Sequence, residues 1–160
     1  MTLVLPTEHD TLRFGELLGR RLRPGDLVIL SGSLGAGKTV LTKGIAVGMG
    51  VTGIVMSPTF VIARVHHPAG EAGVTLVHVD AYRLGGVLEF DDLDLDTDLT
   101  AAAVVVEWGE GRAEQLAEDH LVIRMQRRED DTRTVELQAT GERWAALLDE
   151  LAGDLDPFAA

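Results

Sequence analysis

Apolar positions recur along the chain at two different periods, and the switches between them mark out its elements. Thr7 stands where a helix N-cap belongs, with Asp10 three residues on, and Leu12, Leu18 and Leu22 form a helical stripe ending before Pro24-Gly25. The run Leu27-Val28-Ile29-Leu30 is short and continuously apolar, which predicts a buried strand. Helical spacing returns from Lys38 to about Met49, with Leu41, Ile45 and Gly48 or Met49 facing inward and Gly50 as the stop. Phe60 to His66 and Val74 to Asp80 predict two strands, and the turn-rich Pro68-Ala69-Gly70-Glu71-Ala72-Gly73 between them suggests an antiparallel hairpin. Ala103-Val104-Val105-Val106 predicts a central strand buried on both faces, ending in Glu107. Leu121 to Gln126 and Thr134 to Ala139 flank the turn Glu129-Asp130-Asp131-Thr132, and Trp144, Leu147, Leu148 and Leu151 mark a last helix. Before the first helix there is only a short apolar opening. No repeat or linker interrupts the alternation, so one mixed α/β sheet domain is expected over residues 1–160, with about 153–160 as a flexible tail.

Between the first buried strand and the second helix lies Gly32-Ser33-Leu34-Gly35-Ala36-Gly37-Lys38-Thr39. It fits GxxxxGK[ST] without mismatch and in the strand-to-helix context that the motif requires. Glycines at 32, 35 and 37 let successive amides turn inward around a phosphate, and the helix that follows adds the positive end of its dipole. Lys38 can reach the β- and γ-phosphates, and the Thr39 hydroxyl is placed to ligate the Mg2+ that bridges them. A plain glycine-rich turn would leave the Lys-Thr pair unexplained. The expected fold is therefore P-loop NTPase-like, a mixed β-sheet sandwiched between helices.

Composition narrows the partners. The 160 residues hold 14 Lys plus Arg against 26 Asp plus Glu, a formal net charge of -12, which argues against strong direct nucleic-acid binding. No cysteine is present, so disulfides, zinc fingers and thiol catalysis are excluded. Nor is there any asparagine, so the NKxD motif that reads guanine cannot exist. The opening residues lack a basic region and no apolar run approaches about 18 residues, so neither export nor membrane insertion is expected and the protein should be cytoplasmic.

A phosphate-bound Mg2+ calls for a carboxylate at the carboxyl end of a buried strand beside the loop. Asp80 and Glu107 both end such strands. One would hold the metal while the other positions or deprotonates the attacking water, and the pattern alone does not assign the roles. Thr59, in Ser57-Pro58-Thr59-Phe60, resembles a switch residue, although a threonine after a proline in a turn reads equally well. Trp108 is either a packed aromatic or a reporter of the site's state. His78-Val79-Asp80 could be written as a metal pair, but a histidine within an apolar strand reads better as a core or rim residue, and His66-His67 as a hairpin end. Asp92, Asp94, Asp96 and Asp98 alternate like a calcium loop, but Thr97 and Ala103 stand where its glycine and glutamate belong. A solvated acidic loop or a docking surface for a basic partner fits that stretch better.

With the loop, Ser57-Pro58-Thr59-Phe60, His78-Val79-Asp80-Ala81-Tyr82-Arg83-Leu84 and Val106-Glu107-Trp108 taken together, the chain resembles the TsaE family from Thr11 to Arg133. Members of that family are small bacterial P-loop ATPases that act with TsaB and TsaD to make threonylcarbamoyladenosine in tRNA. The resemblance implies ATP as the nucleotide and a TsaB-TsaD-like protein complex as partner, with tRNA reached only through that complex. It implies Thr39 and Glu107 as Mg2+ ligands, Asp80 and Thr59 as supports for hydrolysis, Thr11 near the base and Arg133 near the nucleotide. Two positions depart from the family pattern: Ser33 replaces an aspartate and Gly109 a proline. With no arginine finger evident after the loop, unassisted turnover should be slow. A small-molecule kinase using the same loop is the alternative, but such enzymes carry an arginine-bearing lid where this chain is acidic.

Overall fold

The computed structural model describes residues 1–33, 35–53, 55, 63–80, 101–108, 111 and 113–160. Among them seven strands form one mixed sheet: β1 (Thr2–Leu5), β2 (Leu27–Ser31), β3 (Ala63–His66), β4 (Thr75–Asp80), β5 (Ala102–Glu107), β6 (His120–Arg127) and β7 (Arg133–Thr140). Among the described residues three helices of more than one turn accompany them: α1 (Glu8–Gly19), α2 (Lys38–Met49) and α3 (Glu142–Leu155). The spatial order is β1-β7-β6-β2-β5-β4-β3. β6, β2, β5 and β4 run parallel, and β7, β1 and β3 are antiparallel to their neighbours at the edges.

β2 and β5 lie at the centre because their residues are apolar on both faces. Val28 and Leu30, with Ala103 and Val105, join the core under the helices, while Leu27, Ile29, Val104 and Val106 join a second cluster on the opposite face. All three helices contribute to the first cluster. On the opposite face the described cover is the short stretch around the 3-10 turn Glu114–Leu116. Glycines set how closely α1 and α2 approach. A Cβ on Gly44 would fall 2.4 Å from the Leu12 carbonyl oxygen, and one on Gly15 would fall 2.6 Å from that of Leu41. The backbones therefore touch along Leu41 to Gly48 of α2, and the first turn of α1, with Thr11, lies beside Gly37 and Val40 at the start of α2.

The Thr7 cap forms as a full capping box: the Thr7 hydroxyl accepts from the Asp10 amide, and the Asp10 carboxylate accepts from the Thr7 amide. The β3–β4 hairpin is antiparallel as expected. Two regions differ from expectation. Thr2–Leu5 is an edge strand paired with β7, a partner some 130 residues away whose influence a four-residue window cannot reveal. Residues 153–160 are not a free tail: Leu155 is buried, Asp156–Phe158 form a 3-10 turn, and Ala159 bridges to Leu3. The apolar stripe of α3 simply continues one turn past Leu151, and the last residues cover the edge left by β1.

Candidate active site

β2 ends in the middle of the sheet, and the chain turns there from strand to helix. Gly32 (φ 150°) passes so close to β6 that a Cβ would lie 2.5 Å from the Met125 carbonyl oxygen, and Gly37 (φ 105°) caps α2 in the left-handed region. The first intrahelical bond of α2 runs from the Leu41 amide to the Gly37 carbonyl, so the amides just before it have no partner within the helix, an arrangement that suits an anion with the helix dipole behind it. Lys38 is buried, and its ammonium donates to the Gly32 carbonyl at 2.6 Å and the Ser33 carbonyl at 2.9 Å. It also lies 4.0 Å from the centre of the Trp108 ring. Burial lowers the Lys38 pKa from its ordinary value, while the charges of Glu107 and Asp80 pull it back up.

Strand register brings the two acids to the loop. Leu30, Glu107 and Asp80 are consecutive partners across β2, β5 and β4, so both carboxylates stand at the carboxyl ends of parallel strands, level with the end of β2. Both are buried. A cleft of about 250 Å3 opens between Gly35, Gly37, Lys38 and Thr39 on one side and Glu107 and Trp108 on the other, with Arg133 at its rim. Trp108 takes a left-handed conformation (φ 63°), and its amide donates to the Leu30 carbonyl at 2.9 Å.

Arg133 is tied to the loop from outside. Its guanidinium donates to the Ala36 carbonyl at 3.0 Å and the Gly35 carbonyl at 3.3 Å, linking the start of β7 to the turn. A side recess of about 40 Å3 is lined by Thr11, Gly37, Val40 and Arg133, which brings the α1 threonine to the same end of the site. Gly32, Ser33, Gly35, Ala36, Gly37, Lys38, Thr39, Asp80, Glu107, Thr11 and Arg133 thus gather around one turn. Leu34 and Thr59, the Ser57–Phe60 segment and the acidic stretch from Glu89 to Asp98 lie outside the described residues.

Among the described residues no three His, Asp or Glu side chains converge as a metal cage. What the cleft offers is the Thr39 hydroxyl and the Glu107 carboxylate, hard oxygen donors of the kind that suits Mg2+ when phosphates supply the rest. One further residue at the site is His78, whose Nε2 lies 2.5 Å from Glu107 Oε2. The signal for it was the i, i+2 spacing to Asp80, which puts both side chains on one face of β4. The neighbouring strand that gives this spacing its meaning is known only from the fold. A larger hollow of about 380 Å3 lies over β6 and β7, but its Arg124 is already bound to Glu136 and Gln138, and no glycine-rich turn borders it.

Residues 5–135 match the profile of the family described as threonylcarbamoyl adenosine biosynthesis protein TsaE. The tRNA threonylcarbamoyladenosine biosynthesis protein TsaE of Streptomyces coelicolor is 57% identical over 136 residues, covering 82% of this chain and 91% of that one. Its namesake in Mycobacterium tuberculosis is 54% identical over 139 residues, covering 82% of this chain and 83% of that one. The crystal structure of Bacillus subtilis YdiB superposes with a TM-score of 0.79 at 32% identity, covering 96% of this chain and 95% of that one.

Proposed function

The chain belongs to the TsaE family, whose role is in tRNA threonylcarbamoyladenosine biosynthesis, and from that premise we propose that it binds and hydrolyses ATP at Gly32–Thr39 in the service of that pathway. The observation that carries this reading is the meeting of Lys38, Thr39 and Glu107 in one cleft, with Asp80 in the neighbouring register position. The loop amides and the Lys38 ammonium bind the phosphates, and Lys38 moves its donors from the Gly32 and Ser33 carbonyls to the phosphate oxygens. Thr39 and Glu107 would hold Mg2+, which when bound neutralises charge on the phosphates. Asp80, beside Glu107 and buried, orients the attacking water and takes its proton. Arg133 braces the turn through its carbonyls and, with Thr11, borders the end of the site nearest the base. Thr59 is assigned a supporting role in hydrolysis on the family resemblance alone.

The partner in this reading is a TsaB-TsaD-like protein complex, and a net charge of -12 supports contact with tRNA through that complex rather than directly. No helix among the described residues is long and apolar enough to cross a membrane. Phosphate release from ATP, measured for the purified chain alone and with TsaB and TsaD, tests the proposal. Slow release that accelerates in the complex is expected, with Glu107→Ala and Asp80→Ala each reducing it by roughly a hundredfold or more. Unchanged release in both variants would place hydrolysis elsewhere, and stoichiometric transfer to a metabolite would make the protein a kinase.

A further inference from the structure

Leu76, His78 and Asp80 alternate onto one face of β4, the face whose Leu76 belongs to the core beneath the helices. In the parallel register His78 lies beside Val105 and Asp80 beside Glu107. The His78 imidazole is fully buried, with Nε2 2.5 Å from Glu107 Oε2, and Nδ1 is buried with no hydrogen-bond partner among the described residues. An ionised carboxylate only accepts, so Nε2 carries the hydrogen and donates it. Packing alone does not account for this residue. A buried polar atom without a partner costs about 1–3 kcal/mol, and an apolar side chain of similar size would avoid that cost. What the imidazole supplies instead is one rigid donor to one oxygen of a carboxylate that lines the cleft.

We propose that His78 is a positioning residue: by holding Oε2 it fixes the rotamer of Glu107 and leaves Oε1 as the oxygen available to a divalent cation beside Thr39. Partners of this kind orient metal-binding carboxylates, and losing one typically costs roughly 10–100-fold in metal affinity. The inference rests on the reading that a nucleotide and a divalent cation share this cleft.

Mn2+ binding to the chain saturated with a non-hydrolysable ATP analogue, followed by the electron paramagnetic resonance of free Mn2+, tests it. His78→Gln presents an amide donor near the place of Nε2, His78→Asn presents one near Nδ1, and His78→Met fills the space with no donor. The Gln variant should bind Mn2+ like the wild type, and the Asn and Met variants about tenfold more weakly. Metal-free affinity for the analogue should be equal in all four proteins. Should either the Asn or the Met variant fail to fold, the other carries the comparison. Equal Mn2+ affinity with and without the Nε2-like donor would overturn the proposal, as would an equal loss in metal-free nucleotide binding, which marks a general disturbance. If the wild type itself binds the analogue with no dependence on Mn2+, the reading of the cleft falls and this inference falls with it.

Discussion

Between α1 and α2, glycine removes side chains so that backbone meets backbone, and the neighbours that close over the seam are apolar, among them Phe14, Leu18, Leu41 and Ile45. One turn away, at the first residue of α2, the architecture reverses: Lys38, Asp80, Glu107 and His78 are all buried, with the Lys38 ammonium donating to loop carbonyls and His78 Nε2 meeting the Glu107 carboxylate. Both regions are tightly built, yet only the seam is arranged for stability. The cleft keeps a desolvated ammonium and, among the described residues, a histidine nitrogen with no partner, features that cost free energy and that the proposed function would account for. Damage to the seam should therefore appear in unfolding, and damage to the cleft in binding.

Gly44→Ala puts the contrast to its hardest test. Its new Cβ would collide with the Leu12 carbonyl, where no flexible side chain can give way. A loss of about 3 kcal/mol is expected, roughly 6–12 °C in Tm for a chain of this size. Nucleotide affinity of the protein that remains folded should be unchanged. Lys38→Ala should do the opposite, weakening nucleotide binding by about 2 kcal/mol, roughly thirtyfold, while leaving the ligand-free Tm within a few degrees. Isothermal titration and thermal unfolding of the same two variants decide the matter, and a Tm loss in Lys38→Ala to match that of Gly44→Ala would erase the distinction.

The smallest effect concerns the β3 edge. His66 is buried with Nδ1 3.4 Å from the Thr52 carbonyl oxygen. Desolvation holds its pKa below the ordinary 6.5; the Thr52 bond opposes the shift, and His78 and Arg64 add to it. As pH falls below 6.5 the unfolded chain takes up a proton that the folded chain resists, so stability present above that value is lost until the folded pKa is passed. His66→Phe should flatten this acid-side decline in urea midpoints measured from neutral to mildly acidic pH. An unchanged slope would show that His66 is not its source.

Local chemistry was enough to read the glycine-rich turn between β2 and α2, the Thr7 capping box, the buried strands β2 and β5 and the stripe of α3. Each rests on residues within a few positions of one another, where backbone angles, capping and apolar periodicity act directly. The loop needs glycine at set places whatever surrounds it. Other features came only with the assembled sheet. That Thr2–Leu5 is a strand, that Ala159 closes the edge beside it, that Arg133 reaches the loop carbonyls and that His78 donates to Glu107 depend on which strands lie side by side and in what register. Register is settled by the burial of a whole sheet face against three helices at once, an energy summed over distant parts of the chain, and no single segment carries it.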